Sequence, residues 1–394
     1  MSLILARSPY FIERGTYDED SILTLSIGKG RREATVFPDP PGFTEVIDIS
    51  KTYTLNYRQR TRIDISPLIR DYISYSGVDE YVVYVKATKS GTISGSPSST
   101  TSYFYTTDGY GYYEDGYNPD LSSALTAKSY YAGSNDTVYR LDDSPINIPL
   151  LHPDPSILTG LTSVLVTFYR AGEVLGSEGI FFNVENDTKN AYKWIGLTSI
   201  DPRERIEADG GTFVDSLCYD RFIRNTKLED YDMIGIKESF GGGSYSEEFM
   251  INVKSISECK HTPYEIRFKN RYGVEESLWF FKRSDQSIKR EKESYRANTI
   301  DAYANDDLYL HTYKDYNVNA RESLVLNTGF LEESFSENFR QLMLSESVYV
   351  MIDDVKLPVN IKNDELTYKK SVNEKLINYN IEIEFSYDKL NNIV

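Results

Sequence analysis

Apolar side chains recur at every second position along much of this chain. Leu23, Leu25 and Ile27 alternate with Ile22, Thr24 and Ser26, and Tyr81, Val83, Val85 and Ala87 alternate with Val82, Tyr84, Lys86 and Thr88. Val164, Val166 and Phe168 repeat the pattern, as do Tyr264, Ile266 and Phe268 against Glu265, Arg267 and Lys269. The longest case puts Ile377, Tyr379, Ile381, Ile383, Phe385 and Tyr387 on one face and Asn378, Asn380, Glu382, Glu384 and Ser386 on the other. Successive side chains of a strand point to opposite sides of a sheet, so this alternation predicts antiparallel strands with one wet face.

Two segments follow a helical period instead. Leu331, Phe335, Phe339 and Leu342 fall at i, i+4, i+8 and i+11, a single apolar stripe that predicts a helix over 331–344. Glu332 and Glu333 sit where its dipole favours acids, and Arg340 lies towards its end. Ser66 as N-cap and Pro67 at the first helical position predict a shorter helix through Ile73. Strands and helices do not alternate regularly, which argues against a doubly wound sheet. The expected class is mainly β, with antiparallel β-sandwich or split-barrel modules and one or two packed helices.

Residues 89–102, KSGTISGSPSSTTS, lack apolar anchors and read as a mobile loop. They open a Tyr-rich region, 89–131, whose residues 103–131 hold eight of the 33 tyrosines. A polar run at 185–190 suggests a boundary between an N-terminal β domain, 1–188, and a C-terminal β domain, 189–394. The Gly241-Gly242-Gly243-Ser244 run reads as a flexible loop inside the second half. A length of 394 residues, at about 150 per domain, agrees with two or three domains.

Composition narrows the function classes. The net charge of −17 repels phosphate backbones and argues against a nucleic-acid partner. Only three His and two Cys leave little material for a metal site or a nucleophilic triad, whereas 33 Tyr favour strands and large amphipathic contact surfaces. Cys218 and Cys259 do not form a disulfide framework and read as isolated buried thiols. No stretch approaches the ~18 apolar residues of a membrane span, and Leu3-Ile4-Leu5-Ala6 is too short for a signal-peptide core. A soluble protein made in a reducing cytoplasm is expected.

Candidate chemistry is sparse. The acids and glycines of Asp108–Gly116 invite a calcium loop, but Tyr110 and Tyr112 stand where oxygen ligands would be needed. Asp142-Asp143, Asp306-Asp307 and Asp353-Asp354 are adjacent acids beside turn residues, a usual composition for solvated loop tips. Glycoside hydrolysis would need two carboxylates converging across a cleft. Cys259 and His261 would share a face on a strand, yet a metal would need two further ligands. Asn135 and Asn186 open glycosylation-type triplets with no secretory signal beside them. No phosphate-binding, dinucleotide, nucleophile-elbow or zinc-protease motif occurs, so no catalytic, cofactor or metal residues are expected. One region leaves the acidic background: residues 269–296 hold eight cations against five acids around Leu278-Trp279-Phe280-Phe281. Either it is a hairpin with a solvated charged face, or its basic surface meets an acidic surface on another copy.

The run Ile266-Arg-Phe-Lys-Asn-Arg-Tyr-Gly-Val274, with Leu278–Lys282 and Ser294-Tyr-Arg296 after it, resembles a block in virion structural proteins of tailed bacteriophages of Bacteroidetes, crAss-like phages among them. Cys259–Tyr264 and Asp108–Gly116 are similar to the same group. So is the C-terminal unit, with Leu326–Phe330, the helix, Val348–Val350, Leu357–Asn360 and the long strand to Tyr387. A helix on antiparallel strands ending in one long strand is similar to tail-tube, distal-tail and hub modules. The resemblance implies a non-catalytic virion protein of the tail that forms a ring-like homo-oligomer and docks other phage tail proteins. It supplies no cofactor. The expected assembly contacts are Tyr105, Tyr110, Tyr112, Tyr113 and Tyr117, and secondly Trp279, Lys282 and Arg283. The alternative is a receptor- or glycan-binding tail protein that stacks sugars on the Tyr-rich loop.

Overall fold

The computed structural model describes residues 2–13, 21–30, 43–53, 62–76, 82–116, 133–141, 149, 161–181, 231–240, 244–245, 247–256, 260–297, 311–353, 355–365 and 376–390. They are mainly β, in sheets dominated by antiparallel pairs with two α-helices. Two compact units divide the chain: Met1–Ser257 with Phe268–Ser277, and Glu258–Arg267 with Leu278–Val394. The 188/189 boundary lies outside the described residues.

The first unit holds two large sheets. One runs β1 (Ser2–Leu5), β7 (Ser96–Thr107), β6 (Val82–Ile93), β3 (Ser21–Gly30) and β4 (Phe43–Tyr53), with β1 and β7 parallel. A short pair joins β2 (Phe11–Glu13) to β5 (Arg62–Asp64). Leu23, Leu25 and Ile27 are buried with Val85 and Ala87, as their alternation requires, and Ile65, Ile69 and Tyr72 complete the same core. Ile69 and Tyr72 come from helix α1 (Ser66–Ser76), whose Ser66 N–H and hydroxyl donate to the Asp64 carboxylate at 3.0 and 2.7 Å. Asp64 therefore takes the capping role expected of Ser66.

The stretch 89–102 is not a mobile loop but most of the β6–β7 hairpin. Ser94 and Gly95 both have positive φ, 52° and 79°, the conformation a two-residue turn needs to match strand twist. Thr88 and Thr101 meet across the strands at 3.2 Å, so threonines stabilise pairing where apolar anchors are absent.

The other sheet runs β10 (Glu173–Phe181), β9 (Leu161–Arg170), β11 (Met233–Phe240), β13 (Phe249–Ile256) and β8 (Thr137–Leu141), with β12 (Ser244–Tyr245) beside β11. Phe168, Ile234, Ile236, Ile251 and Val253 are buried, and Phe168 meets the Tyr231 ring edge-on at 5.1 Å. Gly241–Gly243 lie outside the described residues.

A seven-stranded sheet runs β15 (Glu275–Phe280), β14 (Tyr264–Lys269), β18 (Val348–Ile352), β19 (Val355–Ile361), β20 (Leu376–Phe385), β17 (Tyr313–Glu332) and β16 (Asp285–Arg296). Along β20 the predicted face is buried from Ile377 to Phe385, while Tyr387 lies beyond the strand and is exposed. The predicted helix starts later than its stripe. Leu331 lies at the end of β17, one residue before its last, residues 333–335 form a 3-10 turn, and α2 covers Ser336–Leu344. All four stripe residues are nevertheless buried, because the turn swings the chain over without leaving the core side. Phe339 stacks on Tyr379 with ring centroids 4.0 Å apart and meets Phe280 edge-on at 6.1 Å.

Removing the Phe339 ring leaves a cavity among these partners. Phe339→Ala should cost about 3–5 kcal/mol, read as a lower denaturant midpoint, and Phe339→Asp should prevent the second unit from folding. A midpoint unchanged by Phe339→Ala would refute this packing.

Candidate functional site

Among the described residues, strand alternation is lost along the whole of β16. All twelve residues of β16 are exposed, and so is β17 from Tyr313 to Asn317. Sequence explains the difference: charges occupy consecutive positions in Lys289-Arg-Glu-Lys-Glu293, so neither face of β16 offers a continuous apolar surface. Twelve residues at about 3.4 Å each give a ribbon about 40 Å long.

Its base and shaft are held by ion pairs. Arg321 Nε donates to Asp388 at 2.7 Å, Lys389 N–H donates to the Ala320 carbonyl at 2.7 Å, and Lys389 Nζ lies 2.9 Å from Glu322. Further along, Asp315 receives Arg290 at 2.8 Å and Lys292 at 2.9 Å. A register shift opposite Lys292 accompanies Asn317 at a φ of 48°, a bulge at a residue that tolerates the left-handed region. Exposed aromatic rings accompany these charges: Tyr295 and Tyr316 meet edge-on at 5.6 Å, and Tyr313 lies nearer the tip. The Lys292 hydrogen bond, then the two cations' charge, holds the Asp315 carboxyl below its ordinary range. Across the strands, the Glu293 hydrogen bond and charge push the Tyr316 hydroxyl up.

The first unit offers a second feature. Residues 108–116 pack onto the turn 270–273. The Tyr110 N–H donates to the Arg271 carbonyl at 2.8 Å, and Gly111 N–H donates to Ser8 Oγ at 2.7 Å. Arg271 pairs with Asp115 while its guanidinium lies 4.5 Å from the Tyr112 ring centre. Arg7 sits 4.8 Å over Tyr110. The turn beneath is itself rigid: buried Asn270 accepts from the Tyr272 and Val274 N–H groups and donates to Glu276. At Gly109 a Cβ would lie 2.5 Å from the Arg271 carbonyl oxygen, so only glycine allows this approach.

The structure places the expected contact residues differently from one another. Tyr110, expected at an assembly contact, is only 7% exposed because it fills the space between Arg7 and Tyr112. Tyr112 is half-buried against Arg271, and Tyr113 stands out, 96% exposed on a 3-10 turn. The segment is thus packed within its own unit. Tyr105 lies on β7 with its side chain outside the described residues, and Tyr117 lies outside them altogether. Trp279 is half-buried on β15. Lys282 and Arg283 are exposed before β16, with Arg283 on Asp285 at 2.9 Å.

Other candidates do not converge. His261 lies before β14 rather than on a strand, and Cys259, Asp142-Asp143 and Asp306-Asp307 lie outside the described residues. Asp353 occupies the β18–β19 turn with a φ of 50°. Among the described residues no three metal-ligating side chains cluster, and no helix is long and apolar enough to cross a membrane. Tyr295, Tyr313 and Tyr316 escaped sequence reading; their signal was tyrosine set among charges with no alternation. No protein-family model matches the sequence, and no curated protein matches it.

Two outcomes follow from these contacts. Gly109→Ala should destabilise the first unit by about 1–3 kcal/mol, since backbone atoms must yield, while Tyr113→Ala should leave its denaturant midpoint unchanged. In an NMR titration Asp315 should titrate below a free aspartate, so its pairing is complete above the ordinary carboxylate range and is lost as pH falls through the depressed value. Lys292→Ala should raise that midpoint more than Arg290→Ala; equal midpoints in wild type and both variants would refute the cluster.

Proposed function

We propose that the chain is a structural subunit of a tailed-phage virion, a tail component of hub, distal-tail or ring type that binds copies of itself and docks neighbouring tail proteins. The observation that carries the reading is the ribbon, whose β16 is exposed at all twelve positions. A monomer gains little by ordering such a strand, because ordering entropy is offset chiefly by burial. Tyrosines with charged neighbours suit a surface buried on contact, where rings desolvate and hydroxyls keep hydrogen bonds. A helix-covered antiparallel sheet agrees with the resemblance to tail modules.

Work of this kind needs no catalytic group, and the buried carboxylate Glu276 is occupied structurally by Ser134 at 2.7 Å and Asn270 at 3.1 Å. Glycan stacking on the tyrosine turn is less favoured, since Arg7 and Arg271 already cover the rings of Tyr110 and Tyr112.

Mass photometry of the purified chain over a concentration series, with antibody labelling of intact particles in the electron microscope, tests the reading. Oligomers and labelled tails are expected. Unlabelled particles, or turnover of host polysaccharide by the chain, would overturn it.

A further inference from the structure

The outer edge of β16 has no described strand beside it, since β16 ends the order of its sheet. The backbone groups that face away from β17 can be assigned. Ala297 N–H donates to the Thr312 carbonyl at 2.7 Å, so position 297 faces β17. The Ala320 carbonyl accepts from Lys389, away from β16, and Ala320 lies opposite Arg290. Backbone direction alternates along a strand. Both anchors therefore agree that odd positions bond β17 and that Gln286, Ile288, Arg290, Lys292, Ser294 and Arg296 turn their N–H and C=O outward.

The same six side chains share one face of β16, and it holds three cations and no acid. Asp315 on β17 pairs with Arg290 and Lys292, within a chain of net charge −17. The cationic face therefore suits an acidic strand, and with 60 acids against 43 Lys and Arg a second copy can supply one.

Pairing with its own copy over most of its length is disfavoured for this strand. A two-fold antiparallel pair must set positions of equal parity opposite each other. Centring it on any residue from Ile288 to Ser294 places at least one like-charged pair directly opposite. Centres at 289, 290, 291, 292 and 293 set Lys289, Arg290, Glu291, Lys292 or Glu293 on itself. A centre at 288 opposes Asp285 to Glu291, and one at 294 opposes Lys292 to Arg296. Like charges directly opposite destabilise a sheet.

We propose that a different strand of a second copy adds to the outer edge of β16, head to tail, so that the sheet continues from subunit to subunit. This rests on the assembly reading above and specifies its geometry. A repeated head-to-tail contact closes into a ring or runs on as a filament.

The test uses the full chain in mass photometry. Ile288→Pro and Ser294→Pro each remove an outward N–H without removing a β17 hydrogen bond. Each should weaken assembly at least tenfold in concentration while circular dichroism stays native. Arg296→Glu leaves the backbone and the Asp315 ion pairs intact and should weaken assembly in the same direction, which covers the case of a misfolded proline variant. Oligomers larger than dimers in wild type, reduced by these changes, support the proposal. Undiminished oligomers in natively folded variants would overturn strand addition while leaving the structural-subunit reading in place. Assembly that stops at a dimer would overturn the head-to-tail geometry. A wild-type monomer at every concentration would overturn a second copy as occupant, and particle labelling then judges the broader reading separately.

Discussion

The second unit depends on the stack of Phe339 upon Tyr379. It ties α2 to β20, and β20 pairs with β17 from Ser323 to Glu332. The helix, the sheet and the root of the ribbon share this buried contact. Buried Thr328 reinforces it by accepting the Tyr379 N–H at its hydroxyl, 3.1 Å away, where Gly329 at a φ of 74° interrupts the register. From this anchored half β17 continues past its last partner on β20 and becomes one side of a two-stranded arm. The same strand thus passes from core to solvent, and its sequence changes from Leu324 and Leu326 to Tyr313, Lys314 and Asp315 accordingly.

The first unit solves a different problem with the same chemistry. Its tyrosine segment is short of apolar burial, and cations do the holding: Arg7 and Arg271 lie against rings, Arg271 pairs with Asp115, and Lys269 lies 3.6 Å from Asp108. A segment of glycines and tyrosines that reads as adaptable is consequently fixed, with Tyr113 displayed at its apex. Part of its rigidity comes from residues more than 150 positions away, Arg271 and Tyr272.

Such long-range bracing is what single-sequence reading misses. The strands of β3, β6 and β20 were legible because one face of each is buried, which imposes strict alternation. The ordering of α1 and the helical stripe were legible for a similar reason, although Leu331 met the stripe's spacing from a strand. Burial repeats with the strand there, and the turn at 333–335 preserves its direction. The distal part of the β6–β7 hairpin was hidden because the Thr88–Thr101 pair and a Ser94-Gly95 turn hold it beyond the core. The candidate surface was half legible: the basic excess near 269–296 is visible in the sequence, but the position of β16 at the end of its sheet's described strands depends on the order of strands.

One continuous strand of twenty residues also has a mechanical consequence. Because β17 runs unbroken from the ribbon into the sheet, tension on the ribbon along its axis is delivered lengthwise to the β17–β20 ladder. Hydrogen bonds in that ladder lie across the strands, so the load meets them in shear and is shared among them rather than breaking one at a time. Pulling sideways at the tip would instead peel β16 from β17 bond by bond. The ribbon is consequently a stiff tether along its length and a compliant one across it.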